Sequence, residues 1–233
     1  MAEPEVVEYA DAAELAAGVA ARLVTRVAEV QATGGTAQIC LTGGRIATAV
    51  YQRLGTDGVR STDVDWTELE LWWGDERFVP AESGDRNDIP ALTALAPLGI
   101  APHRVHPMPA DGSVGLDAAA EQYAADLGST TFDLCLLGVG PDGHVASLFP
   151  DHPSSSTPGR VIAVRNSPKP PPDRISLTLD VINASAEVWF CVSGADKADA
   201  VARARAGDTD LPAGRVRATE RVVWLLDRAA AGS

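Results

Sequence analysis

Cationic side chains are scarce in this 233-residue chain: 19 lysines and arginines face 32 aspartates and glutamates, for a formal net charge of -13. Only two of the cations are lysines, Lys169 and Lys197. General nucleic-acid and membrane-surface binders need a cationic face to meet phosphates, so neither partner is expected. A small anion remains compatible, because at a Debye length of about 8 Å a few clustered cations dominate the field inside a cleft. Cysteine is also sparse. Cys40, Cys135 and Cys191 are odd in number, lack CxxC or Cys/His ligand spacing and lie in the apolar runs "QICL", "DLCLL" and "VWFCV". That suits buried reduced thiols and excludes a disulfide frame or a zinc site.

Long apolar runs are missing too. No stretch reaches the ~18 residues a membrane helix needs. The start "MAEPEVVEYADAAEL" has neither a basic n-region nor an apolar h-region, so a soluble, cytoplasmic chain is expected. No G-x-S-x-G elbow occurs, and Ser147 in "ASLFP" lacks the context of a nucleophile, which argues against a serine hydrolase. No internal repeat or low-complexity tract appears.

What is present is a globular composition, 45% hydrophobic and 22% charged. The length suits one α/β domain over residues 1–233. Residues 11–31 place Leu15, Val19, Leu23, Val27 and Val30 on one helical face behind a cap-like Asp11 and Glu14. Apolar runs then alternate with helical patterns at 46–54, 115–127 and 196–206. Alternating strands and helices predict a doubly wound, mainly parallel sheet with helices on both faces. Ligands of such sheets bind beyond the carboxyl ends of the strands. The segments expected there, "TGGR", "GDER", "GVGPDGH" and "SGADK", all combine glycine with charge. "FPDHPSSSTPGR" and "NSPKPPPDR" are expected to be long loops, the first mobile over the cleft.

"GVGPDGH" has the spacing of a dinucleotide turn, but Pro141 removes a donor, Asp142 adds a repelling charge, and no acid follows at ribose distance. The alternative is a tight turn that presents His144, a group that titrates near neutrality, with Asp142 to hold its tautomer. In "WWGDERFVP", Asp75, Glu76 and Arg77 stand at a strand end, where the arginine suits an anion or oxyanion and the acids could orient it. Thr42, Gly43 and Gly44 lead into a helix N-terminus. Arg174 follows a proline-rich loop, and Lys197 opens a helix against its dipole, which asks for an anionic partner. His103, His106 and His152 lie in Pro-rich loops and are expected at the surface. These residues suit water attack on an activated ester or proton transfer on a phosphorylated sugar.

"LTGGR", "WWGDERFVP", "DRND", "FDLCLLGVGPDGHVASLFP", "RISLTLDVINAS", "VSGADKADAV" and "VVWLLDRAA" run in order over nearly the whole chain. In them the chain resembles the glucosamine-6-phosphate isomerase/6-phosphogluconolactonase family. The resemblance implies a Rossmann-like sheet of the sugar-phosphate isomerase type. It also implies hydrolysis of 6-phosphoglucono-δ-lactone in the oxidative pentose phosphate pathway, without metal or organic cofactor, by a monomer or weak dimer. By the same resemblance His144 is the base, Asp142 orients it, and Arg77 with Asp75 borders the reacting end. Gly43, Gly44, Arg45, Arg174 and Lys197 hold the phosphate. One departure is visible: the family's "SGGSTP" reads "TGGRIA" here, which replaces a hydroxyl and a proline and adds Arg45. The rivals are a deaminase on the same fold and a non-catalytic sugar-phosphate sensor, against which stand the long 138–150 match and the lack of a preceding helix-turn-helix.

Overall fold

The computed structural model describes residues 4–58, 61–112 and 114–233. Its first helix begins as the sequence requires. The Asp11 carboxylate accepts from the N–H groups of Ala13 and Glu14 at 2.8 and 2.9 Å, and Glu14 reaches back to the Ala10 N–H. Together they satisfy donors that the first turn leaves without partners. This helix, α1 (Ala12–Ala32), buries Leu15, Val19, Leu23 and Val27.

Six strands build the main sheet: β1 (Glu5–Tyr9), β2 (Ala37–Leu41), β3 (Leu69–Trp73), β5 (Leu134–Leu137), β8 (Glu187–Val192) and β9 (Arg221–Asp227). Their spatial order is β1-β9-β8-β5-β2-β3, and every pairing is parallel. β5 and β8 are buried along their whole length, as strands covered on both faces are. The crossover helices are α2 (Arg45–Asp57), α3 (Asp88–Leu95), α4 (Leu116–Leu127), α5 (Leu179–Asn183) and α6 (Ala198–Arg205), with α7 (Arg228–Ala231) closing the chain. The chain steps from β2 outward to β3 and then returns to β5 on the other side of β2. That reversal opens a crevice at the carboxyl ends of β2 and β5. Two buried phenols fix its rim. Tyr51 bonds both the N–H and the carbonyl of Thr42 at 3.0 and 2.8 Å, and Tyr123 does the same for Trp73.

A second, three-stranded antiparallel sheet stands over this end: β4 (Asp75–Arg77), β7 (Arg174–Leu177) and β6 (Val161–Val164), in the order β4-β7-β6. "DER", expected at the end of a strand, is a short strand of its own, with Asp75 opposite Ser176 and Arg77 opposite Arg174. The three cysteines are free and buried, and Cys40 and Cys135 are neighbours across β2 and β5. Two of the loop histidines expected at the surface are half-buried and engaged by neighbours. His106 stacks on Trp72 with ring centroids 3.9 Å apart and pairs with Glu70, both offered by the edge strand β3. His152 lies 2.9 Å from the Ser154 hydroxyl and 3.0 Å from the Arg165 carbonyl, fastening the 149–160 loop. Among the described residues no helix is long and apolar enough to cross a membrane.

Candidate active site

The four strand-end segments converge on one cleft of about 820 Å³, within the usual range for small-molecule sites. Thr42 to Arg45, Asp75 and Arg77, Gly138 to Pro141 with His144, and Ser193, Gly194 and Lys197 all line it.

The histidine is presented by a closed turn. The Gly140 N–H donates to the His144 carbonyl and the Gly143 N–H to the Gly140 carbonyl, both at 2.9 Å. Within this turn His144 Nδ1 lies 2.5 Å from Asp142 Oδ1, and the ring packs against Phe149 at 4.8 Å between centroids. A methyl group at position 140 would lie 2.0 Å from Nδ1 and 2.4 Å from Oδ1, so the pair occupies space that only glycine leaves open. Partial burial works against the Asp142 charge, but the hydrogen bond from His144 and the charges of His144 and Lys169 outweigh it and hold the carboxyl well below its ordinary range. In the neutral ring, with Nδ1–H directed to that carboxylate, the lone pair lies on Nε2.

On β4 the alternation of the strand separates the three charged side chains. Asp75, buried, accepts from the Ser147 hydroxyl at 2.6 Å and thereby braces the segment behind His144. Glu76 turns away from the cleft. It accepts the N–H groups of Arg77, Asn87 and Asp88 at 2.7 to 2.9 Å and lies 3.9 Å from Arg86, so it orders the 85–88 loop and does not orient the Arg77 guanidinium. Burial pushes its carboxyl up to about 7 despite those donors. Arg77 borders the cleft and donates to the Asp85 carbonyl at 2.5 Å.

The opposite wall is the start of α2. Gly44, at φ 102° and ψ 165°, occupies backbone space that is essentially reserved for glycine. No side chain caps this helix and its first turn carries no acid. Its first N–H groups are thus left for an anion. Arg45 is exposed beside them. Lys197 closes a short turn, Ala195–Lys197, ahead of α6, lines the cleft and pairs with its neighbour Asp196. Asp227 anchors this loop by accepting from Ser193 Oγ and the Gly194 N–H. Arg174 is buried and spends donors on three loop carbonyls, those of Lys169, Pro170 and Pro171, while its Nη1 lies 4.0 Å from Asp75.

Among the lining residues that were missed from sequence, Asn87 and Lys169 carry polar groups into contact with the candidates. Asn87 lies over Gly43 and donates to the Asp75 carbonyl. Lys169 lies 3.3 Å from His144 Nδ1. Its rarity was the available signal, since it is one of two lysines.

A family model described as glucosamine-6-phosphate isomerases/6-phosphogluconolactonase matches residues 10–224. The 6-phosphogluconolactonase of Streptomyces coelicolor is 46% identical over 245 residues, covering 98% of this chain and 94% of that protein. That of Mycobacterium tuberculosis is 42% identical, covering 96% and 95%. Among solved structures, 6-phosphogluconolactonase from Thermotoga maritima superposes with a TM-score of 0.86 at 28% identity, covering 96% of this chain and 99% of that one. A monomeric glucosamine-6-phosphate deaminase reaches 0.83 at 20% identity, covering 98% and 99%, a likeness of fold.

Proposed function

Because the chain belongs to the glucosamine-6-phosphate isomerase/6-phosphogluconolactonase family, we propose that it hydrolyses 6-phospho-D-glucono-1,5-lactone to 6-phospho-D-gluconate in the oxidative pentose phosphate pathway. Residues 1–233 work in this reading as one catalytic domain, and Nε2 of His144 is the general base. The observation that carries it is the His144–Asp142 pair at 2.5 Å, set at a strand end on one cleft with an uncapped helix N-terminus.

Water held by Nε2 attacks lactone C1. Its proton passes to Nε2 as the new C–O bond forms, and the carbonyl electron pair moves to the exocyclic oxygen. Collapse of this intermediate breaks the bond from C1 to the ring oxygen, which takes the proton back from the imidazolium. The acid so formed ionises to the product carboxylate. Asp142, anionic throughout, steadies the imidazolium and fixes the ring. Arg77 and Asp75 border the reacting end. The phosphate rests on Gly43, Gly44 and the first N–H groups of α2, beside Arg45 and Lys197, while Arg174, its donors spent on loop carbonyls, adds its charge to the lining without touching the phosphate.

The test is lactone loss with substrate generated in situ from glucose 6-phosphate, set against a protein-free blank, alongside ammonia release from glucosamine 6-phosphate. Faster lactone loss without ammonia is expected; ammonia release would move the chain to the deaminase branch. His144→Asn should remain folded and lower the rate by roughly 10² to 10⁴. A variant with near-wild-type turnover would remove His144 as the base.

A further inference from the structure

The "NSPKPPPDR" loop reaches the dyad from outside the elements that built it. Lys169 Nζ lies 3.3 Å from His144 Nδ1 and 3.5 Å from Asp142 Oδ1. Among the described residues it is the one lysine or arginine in contact with the pair. The Nδ1 proton already points to Oδ1, and an ammonium has no acceptor, so the approach of Nζ to Nδ1 is not a hydrogen bond. The ammonium leans on the carboxylate alone and keeps donors unspent toward the cleft, which its side chain lines at 42% exposure. The other cations of the cleft do not touch the pair. Arg77 serves the Asp85 carbonyl, Arg174 is buried among carbonyls, and Arg45 and Lys197 flank the α2 wall.

The loop that carries this ammonium is fastened at both ends. Ser167 bonds both the carbonyl and the N–H of Lys169, at 2.9 and 3.3 Å, and its own N–H donates to the Pro172 carbonyl. Arg174 then takes the Lys169 carbonyl at 2.9 Å, Pro171 at 3.2 Å and Pro170 at 3.3 Å. A planar guanidinium fork on three successive carbonyls fixes the backbone from which the lysine stem rises.

We propose that Lys169 is a catalytic residue, donating to the oxyanion that forms on C1 and to the product carboxylate, and that Arg174 is the positioning residue that sets it. The proposal rests on the lactonase reading. As C1 becomes tetrahedral the negative charge moves from the attacking water to the exocyclic oxygen, and a cation beside the base meets it there without relocating its backbone. No bond to Lys169 forms or breaks, and it returns to Asp142 when product leaves. Proline on both sides of the loop's carbonyls limits the backbone freedom that would otherwise be lost each cycle.

The experiment compares kcat and KM for wild type, Lys169→Met, Lys169→Arg, Arg174→Gln and the double variant Lys169→Met/Arg174→Gln, with inhibition by inorganic phosphate as the probe of the other end. Lys169→Met is expected to lower kcat by about 10- to 100-fold, less than a fully enclosed oxyanion donor because the ammonium is half exposed, with phosphate inhibition unchanged. Lys169→Arg should recover part of the loss. Arg174→Gln should lower kcat in wild type but by under about twofold once Lys169 is gone, since it acts through that residue. Arg174→Lys, with a melting curve for each variant, guards against a folding defect. A Lys169→Met kcat within about threefold of wild type overturns the proposal while leaving the lactonase reading intact. Multiplying effects in the double variant overturn the positioning role of Arg174. A wild type that leaves lactone loss unaccelerated overturns the reading itself, and the proposal with it.

Discussion

Gly140→Ala isolates the geometry of the proposed base from its chemistry, because it removes no titratable group. The new methyl would sit 2.0 Å from His144 Nδ1, 2.1 Å from Cε1 and 2.4 Å from Asp142 Oδ1, where ordinary contact begins at 3.4 Å. The turn backbone is held by two hydrogen bonds, so the imidazole yields, by about 1.4 Å. A misplacement of about 1 Å at a reacting group costs on the order of 10² in rate, and complete loss of a general base about 10⁴. The expected fall in kcat therefore lies between roughly 10² and 10⁴, or about 3 to 5 kcal/mol on the barrier. Folding should hardly register the change, since the displaced groups lie at the cleft surface and position 140 needs no positive φ. A melting shift of no more than about 4 °C is expected. The assay is the initial rate of lactone loss beside a thermal melt, with Gly84→Ala, whose added methyl meets nothing within 4 Å, as the control. A Gly140→Ala enzyme with kcat within about threefold of wild type would refute the argument that the pair must stand where it does.

Lys197→Ala should raise KM by about tenfold with kcat little changed, the worth of one charge-assisted hydrogen bond; an unchanged KM would remove Lys197 from the phosphate end. Gly44→Ala forces an L side chain into φ 102° and ψ 165°, which costs about 1 to 3 kcal/mol, so both melting temperature and phosphate affinity should fall together. Glu76 makes stability depend on pH with a definite sign. Its folded carboxyl is raised from 4.5 to about 7, so the folded state holds the proton more tightly and the stabilisation, complete below pH 4.5, is lost as pH rises through 7. Urea unfolding of wild type should weaken by about 3 kcal/mol relative to Glu76→Gln between pH 4.5 and 8, and parallel profiles would contradict it.

The parts legible in sequence are those set by neighbours along the chain. The helix at 11–31 announces itself through its period and Asp11, both local, and the structure places it at Ala12–Ala32 with that cap. β5 and β8 read as strands because sheet burial on both faces leaves no polar position to interrupt the run. The His144–Asp142 pair was visible for the same reason: two residues apart on a glycine turn, they meet whatever the rest of the fold does. The small sheet was not visible. Charged "DER" has no strand signature of its own, and what makes it a strand is β7, almost a hundred residues on, together with partners that satisfy its buried acids. Asp75 is satisfied by Ser147, and Glu76 by the loop at 87 and 88.

The same distinction decides between the two ends of the cleft. At the α2 end the departure from "SGGSTP" to "TGGRIA" removes a side-chain hydroxyl, yet the backbone N–H groups of a helix start belong to any sequence that folds there. The structure leaves this start uncapped and free of acid, so in the proposed reading the phosphate keeps its backbone donors despite the substitution and Arg45 adds charge beside them. At the other end nothing in the backbone supplies a cation. It arrives as a side chain, from a proline loop 25 residues beyond His144, and only because Arg174 holds that loop down. In the proposed reading the phosphate end is therefore written in the local fold and should tolerate change at position 45, whereas the charge beside the proposed base hangs on two side chains that no local pattern links. Substitutions at 169 and 174 should accordingly be felt in kcat, and those at 45 in KM alone.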